Sequence, residues 1–199
     1  MATTVDSSVE TYTIVAEHLT PEAFAPFGTV LTRRDQERLP INLYGGKVDV
    51  YRPAPLDADQ PLEWLFTCNH VRDFTVQYLE RHLGVGQAFV ALEQPFISCV
   101  AAPDARLVDG IPAFDEVHAF IIPAGQATQI YKGTWHEPPF ALVDQSYTLI
   151  TSHQALTAGL GLALDAKGEI GDLDVDKRSI SERTGRTLRI AFGGEEPAG

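Results

Sequence analysis

Ala88-Phe89-Val90-Ala91-Leu92, then Glu93-Gln94-Pro95, then Phe96-Ile97-Ser98-Cys99-Val100 is the stretch on which the fold turns. Each apolar run is too short for a buried helix, is rich in β-branched and aromatic residues, and is bounded by a polar, proline-bearing link, so the pair reads as two short strands. The same grammar continues on both sides. Upstream lie Leu62-Glu63-Trp64-Leu65-Phe66-Thr67 and Thr75-Val76-Gln77-Tyr78-Leu79-Glu80; downstream lie His118-Ala119-Phe120-Ile121-Ile122, Gln129-Ile130-Tyr131, Phe140-Ala141-Leu142-Val143 and Tyr147-Thr148-Leu149-Ile150. Short strands punctuated by Pro, Gly and Asp predict an all-β-dominated sandwich or small barrel with mostly antiparallel pairing. Its core is expected to include Leu65, Phe89, Val90, Ile97, Val100, Phe120, Ile122, Leu142 and Leu149. Helices should be few and short; Thr20 is a plausible N-cap for one, with Pro21 at its first position.

The chain has 199 residues, 44% hydrophobic and 21% charged, the balance of one ordinary globular domain. Twenty-seven acids against fifteen bases give a formal charge of −12, which repels nucleic-acid phosphates. No window approaches the roughly 20 apolar residues of a membrane span, and Met1 to Glu10 has no basic-then-apolar export pattern. Neither a nucleic-acid nor a membrane partner is expected. Cys68 and Cys99 sit in strand-like runs without a paired spacing, which suits a reducing, cytoplasmic address. Beyond His153 the chain changes character: Gly159, Gly161, Gly168 and Gly171 punctuate it and Asp165, Glu169, Asp172, Asp174 and Asp176 make it acidic, so an edge hairpin or lid is expected there. Thr187 to Phe192 could be a late strand, with a frayed end from Gly193.

One segment carries chemistry. In Gly125-Gln126-Ala127-Thr128-Gln129-Ile130-Tyr131-Lys132-Gly133-Thr134-Trp135-His136, the spacing of Gly125, Gly133 and His136 resembles the second motif of the cupin superfamily, with Tyr131 standing where proline is usual. A glycine turn there aims the following histidine inward from the next strand. The first motif then has its counterpart in Glu80-Arg81-His82 followed by Gln87. Glu80 and His82 are two apart and share a strand face. With His136 they form a mixed nitrogen and oxygen set, Glu80, His82, Gln87 and His136, suited to a divalent ion such as Ni, Mn, Fe or Zn with open positions. The plain alternative is a surface hairpin at Glu80-Arg81 with His82 bonded to a backbone carbonyl. No organic cofactor is expected.

Leu79-Glu80-Arg81-His82, Gly84, Gln87-Ala88-Phe89 and Gly133-Thr134-Trp135-His136, with Leu19-Thr20-Pro21-Glu22-Ala23-Phe24 and Phe27-Gly28 near the start, resemble the ureidoglycolate lyase family from about Leu19 to Ile150. That resemblance implies a cupin-like antiparallel β-barrel of jelly-roll type at 19–152, preceded by an extension at 1–18 and followed by a packing or lid segment at 153–199. It also implies a homodimer and an enzyme splitting ureidoglycolate, a small-molecule substrate, into glyoxylate and urea, in some members with a divalent metal. Three positions depart from the family pattern: Lys132 for histidine, Glu137 for the second of two histidines, and Val50-Tyr51-Arg52 for a basic-aromatic-histidine run. His136, Lys132 and Glu137 are therefore the catalytic candidates, and Tyr131, Arg52, Tyr51 and Gln87 the substrate-binding ones. A desolvated Lys132 could act as a base, and Arg52 could fork onto a carboxylate. Divergent lyase, hydrolase or isomerase chemistry on the same pocket, or a non-catalytic small-ligand cupin, stays open. His118 is expected to be a hydrogen-bonded core residue, and His18, His70 and His153 surface residues.

Overall fold

The structure is a computed structural model that describes residues 9–32, 36–41, 44–163, 168–171 and 174–193; the frayed end expected near the C-terminus lies, from residue 194 on, outside them. In chain order the strands are β1 (Thr11–His18), β2 (Gly28–Val30), β3 (Leu62–Asn69), β4 (Thr75–Val76), β5 (Tyr78–Arg81), β6 (Ala88–Ala91), β7 (Phe96–Ala101), β8 (Leu107–Val108) and β9 (Ile111–Pro112). They continue as β10 (Val117–Ile122), β11 (Ala127–Ile130), β12 (Trp135–His136), β13 (Phe140–Ala141), β14 (Ser146–His153), β15 (Ile170–Gly171), β16 (Asp176–Ser179) and β17 (Thr187–Ala191). The helices are α1 (Pro21–Phe24), α2 (Gln154–Ala163) and α3 (Ile180–Thr184). Thr20 caps α1 as expected, its side chain accepting from the Ala23 N–H at 3.1 Å.

A large sheet runs β15-β16-β5-β12-β7-β10-β1-β17-β4, with β13 also on β7, and a smaller one runs β2-β11-β6-β14-β3. Together they make the cupin-like half-barrel. Every pairing is antiparallel except those of β1, which lies parallel to both β10 and β17. Hydrogen bonding does not break at residues 18 or 152: β1 sits inside the large sheet and β16 and β17 extend it.

Strand β7 explains the layering. Phe96 and Val100 pack between the sheets with Phe89, Phe120, Ile122, Ile130 and Ile150. Its alternate residues Ile97, Cys99 and Ala101 pack on the other face with Leu79, Trp135, Phe140 and Leu188. A central strand buried on both faces reads as a continuous apolar run, which is why this stretch was the most telling. Fully burying each large side chain is worth about 1.5–3 kcal/mol.

The core list needs correction at four places. Leu65, Val90, Leu142 and Leu149 are only half-buried. For two of them the cause is parity: Leu149 is paired with both Val90 and Phe66, and this row takes the outer face while the neighbouring row Phe89, Ile150 and Leu65 turns inward. No helix among the described residues is long and apolar enough to cross a membrane.

Candidate active site

Glu80, His82 and His136 converge because of register. Glu80 on β5 is the direct partner of His136 on β12, and His136 is in turn paired with Val100 on β7, whose side chain lies between the sheets. Directly paired residues share a face, so Glu80 and His136 are held side by side, and His82, two residues on from Glu80, joins them. One ligand atom from each of the three lies within 4.8 Å of the others. Glu80 Oε1 stands 3.9 Å from Nε2 of both His82 and His136.

The element Gly133-Thr134-Trp135-His136 does a separate job at each position. Gly133 takes φ +79°, a turn conformation that L side chains rarely adopt, and its N–H donates to the His82 carbonyl at 2.7 Å. Thr134 donates its hydroxyl to the Phe27 carbonyl, Trp135 is fully buried in the opposite core, and His136 faces the site. Both histidines point the same end at Glu80. His82 Nδ1 lies 3.3 Å from the Asp174 carbonyl and His136 Nδ1 lies 3.0 Å from the Thr134 carbonyl. A carbonyl only accepts, so each Nδ1 carries the proton and leaves an Nε2 lone pair toward Glu80. This is the outer-shell bonding that metal-ligating imidazoles adopt. Burial, helped by the neighbouring His136, pushes His82 down to about 3, and burial also lowers His136 against the opposing pull of Glu80. Both rings are thus neutral, as ligands must be.

Gln87, the fourth residue of the expected set, does not line the cleft described below. It is buried, its Oε1 has no hydrogen-bond partner, and it sits two residues before Phe89, whose ring meets His136 edge-on at 5.9 Å. Two neutral imidazoles and a carboxylate suit a divalent cation, and the Glu80, His82 and His136 group could hold one.

A cleft of ≈ 260 Å³ opens onto this group, walled by Arg72, Tyr78, Glu80, His136, Glu137 and Lys177 among others. Arg72 is held from three sides: Nη1 donates to Glu137 Oε1 at 3.1 Å, Nη2 to the Pro138 carbonyl at 2.8 Å, and the guanidinium lies 3.6 Å over the Phe140 ring. Burial pushes the Glu137 carboxyl up to about 8, with Arg72 pulling the other way.

Other expected site residues lie elsewhere. Lys132 forms ion pairs with Asp57 at 3.0 Å and Asp59 at 2.6 Å and does not line the cleft. It stands in the turn before Gly133, where strand parity no longer fixes a side chain's direction. Tyr131 is exposed, Tyr51 bridges to Arg38, and neither these nor Arg52 reaches the cleft. His18 and His70 are exposed, and His118 meets Glu17 at 3.4 Å with its side chain 43% exposed, so it is not the core residue expected. His153 overturns its surface reading: it is fully buried, and its Nδ1 accepts the Leu156 N–H in the first turn of α2. Arg72, Lys177 and Asp174 were not anticipated, because none belongs to a spaced motif; only pairing between distant strands brings them to the site.

Fold and site together define a small cupin-type barrel with a two-histidine, one-carboxylate donor set at the mouth between its sheets. A model of the ureidoglycolate lyase family matches residues 11–160. Relatives named ureidoglycolate lyase include those of Burkholderia mallei (strain NCTC 10229), 37% identical over 144 residues covering 67% of this chain and 78% of the relative. That of Pseudomonas fluorescens (strain Pf-5) is 32% identical over 150 residues, 68% and 86% of the two chains. That of Schizosaccharomyces pombe is 29% identical over 154 residues, 65% and 78%. The chain belongs to the ureidoglycolate lyase family.

Proposed function

We propose that this protein is a lyase that cleaves ureidoglycolate to glyoxylate and urea. The observation that carries this reading is the convergence of Glu80, His82 and His136, the first and last of which line a small cleft, in a member of that family. The reaction takes the proton from the carbinol hydroxyl, forms the aldehyde C=O, breaks the C–N bond, and delivers its electron pair and a proton to the departing urea nitrogen. A divalent ion, Ni, Mn, Fe or Zn, held by Glu80, His82 and His136, would supply Lewis-acid stabilisation of the oxygen on which charge grows. Glu137 lines the same cleft next to His136 and is the proton carrier proposed: its carboxylate form, which Arg72 favours and burial opposes, takes the hydroxyl proton and returns it to nitrogen. Arg72 fixes the Glu137 carboxylate in place. Phe89, packed on His136, keeps one side of the site apolar and dry.

The cytoplasm is the compartment proposed, supported by two free thiols at Cys68 and Cys99. A homodimer is proposed as the working assembly, supported by the apolar outer face of the smaller sheet, where Trp64 is 62% and Phe66 71% exposed.

The test is glyoxylate release from ureidoglycolate together with metal analysis of tag-free protein. Wild type is expected to turn over, His136→Ala and Glu80→Gln to lose at least about a hundredfold in kcat, in the range of removing one electrostatic partner of a reacting group. Turnover by His136→Ala at the wild-type rate would remove the site.

A further inference from the structure

Strand β16 lies outside residues 11–160, which the family model matches, yet it forms one wall of the cleft. It pairs antiparallel with β5, and Lys177 is the direct partner of Glu80. Across β16, β5 and β12 the row therefore reads Lys177, Glu80, His136, three side chains on one face. Asp174, just before this strand, supplies the carbonyl that orients His82.

The cations around Lys177 are committed. Arg81 pairs with Asp176 at 2.9 Å, Arg178 with Asp176 at 2.6 Å, and Arg183 with Glu169. Lys177 has no carboxylate within ion-pair distance among the described residues; its Nζ instead rests 4.3 Å over the Tyr78 ring, a second wall of the cleft. The ring restrains the ammonium without neutralising it. Arg72 is the other cation of the cleft, and it too has donors to spare: five N–H groups, of which two are used by Glu137 and Pro138. Glu80, the paired neighbour of Lys177, is turned to the histidines.

We propose that Lys177, together with Arg72, forms the subsite for the substrate's carboxylate, so that strand β16 completes the active site and selects small 2-hydroxy acid anions over neutral analogues. This rests on the lyase reading for the identity of the substrate, but the subsite can be measured without turnover. Lys177 is a substrate-binding residue here, and the reacting bond lies with Glu80, His136 and Glu137.

Binding of glycolate, a 2-hydroxy acid anion without the ureido group, and of its uncharged amide is measured by titration calorimetry. The proteins are wild type, Lys177→Met, Lys177→Arg and, for loss of one surface charge away from the cleft, Lys47→Met, with metal content matched and melting temperatures compared. Glycolate should bind about tenfold more weakly to Lys177→Met, be largely restored in Lys177→Arg and be unchanged in Lys47→Met, a difference of about 1.4 kcal/mol. The amide should bind wild type and Lys177→Met alike. In turnover, KM for ureidoglycolate should rise about tenfold in Lys177→Met with kcat nearly unchanged, the loss expected when a binding contact is made equally in ground and transition states. Glycolate binding that is absent in wild type or unaffected by Lys177→Met, or an equal loss for the amide, overturns the subsite even if ureidoglycolate is cleaved. Lys177-dependent glycolate binding without ureidoglycolate cleavage keeps the subsite and overturns the lyase reading.

Discussion

Gly84 shows how closely the turn after His82 is packed. A Cβ built there would stand 2.7 Å from Asp174 Oδ1 and 3.2 Å from His153 Nε2, so any larger residue must displace the Asp174 carboxylate that closes over the turn after His82. Gly84→Ala should turn the Asp174 carboxylate aside, lengthen the carbonyl contact of that residue to His82 Nδ1, and destabilise the fold by about 1 kcal/mol, the low end of overpacking because a side-chain tip rather than backbone must yield. The same change should lower affinity for added Zn or Ni about tenfold, because outer-shell partners of ligating histidines are worth about that much. A competitive chelator titration reads it; unchanged affinity in a folded variant would mean the Asp174 carbonyl does not position His82. At single residues, the sequence exposed Glu80, His82 and His136 because a period of two and a glycine turn determine direction. Lys132 eluded the same logic, since in a turn the adjacent acids Asp57 and Asp59 decide where an ammonium points. Lys177 gave no local signal at all; its meaning comes from its pairing with Glu80.

Among elements, the readable ones are those whose burial alternates or is complete. Strands β3, β6, β7, β10 and β14 follow the apolar runs closely. Strand β1 was missed: in Thr11–His18 only Ile14 is buried, so the strand lacks an apolar run although it is paired on both sides. Helix α2 was hidden by Gly159 and Gly161, residues costly in a helix, and its first turn is bonded by the buried His153. The wall strand β16 is secured by Glu169, whose carboxylate is bonded by the Arg183 guanidinium and by the Ser179 N–H. The Arg183 bonds hold its pKa down to about 2, with burial opposing, against 4.5 for a free glutamate. A depressed carboxylate contributes stability that is full above about pH 4.5 and is lost as pH falls through about 2. Glu169→Gln should therefore lower stability at neutral pH and flatten the fall between pH 4.5 and 2, read by denaturant unfolding across that range. Amide exchange in β16 should quicken in the variant. An acid limb as steep as wild type would mean that the clamp is not coupled to folding.

For the molecule as a whole, the net charge of −12 opposes an anionic substrate, so Arg72 and Lys177 act as a local exception inside a repulsive field. The two faces of the smaller sheet differ in the same deliberate way. Its inner face packs against the large sheet, while its outer face presents Leu62, Trp64, Phe66 and Tyr147 to solvent, in line with the half-buried row of Val90 and Leu149. Among the described residues strand β3 is also the sheet's edge, pairing with β14 alone. An apolar face ending in an open edge is a liability in a monomer and an asset in a symmetric pair, since a second copy covers the same patch with itself. The expected result is a dimer by multi-angle light scattering at micromolar concentration. Phe66→Glu, which places a charge at the centre of that patch while leaving the inner face untouched, should give a folded monomer whose melting temperature no longer rises with protein concentration. A wild-type monomer, or a dimer indifferent to Phe66→Glu and Trp64→Glu together, would show that this face is not where two copies meet.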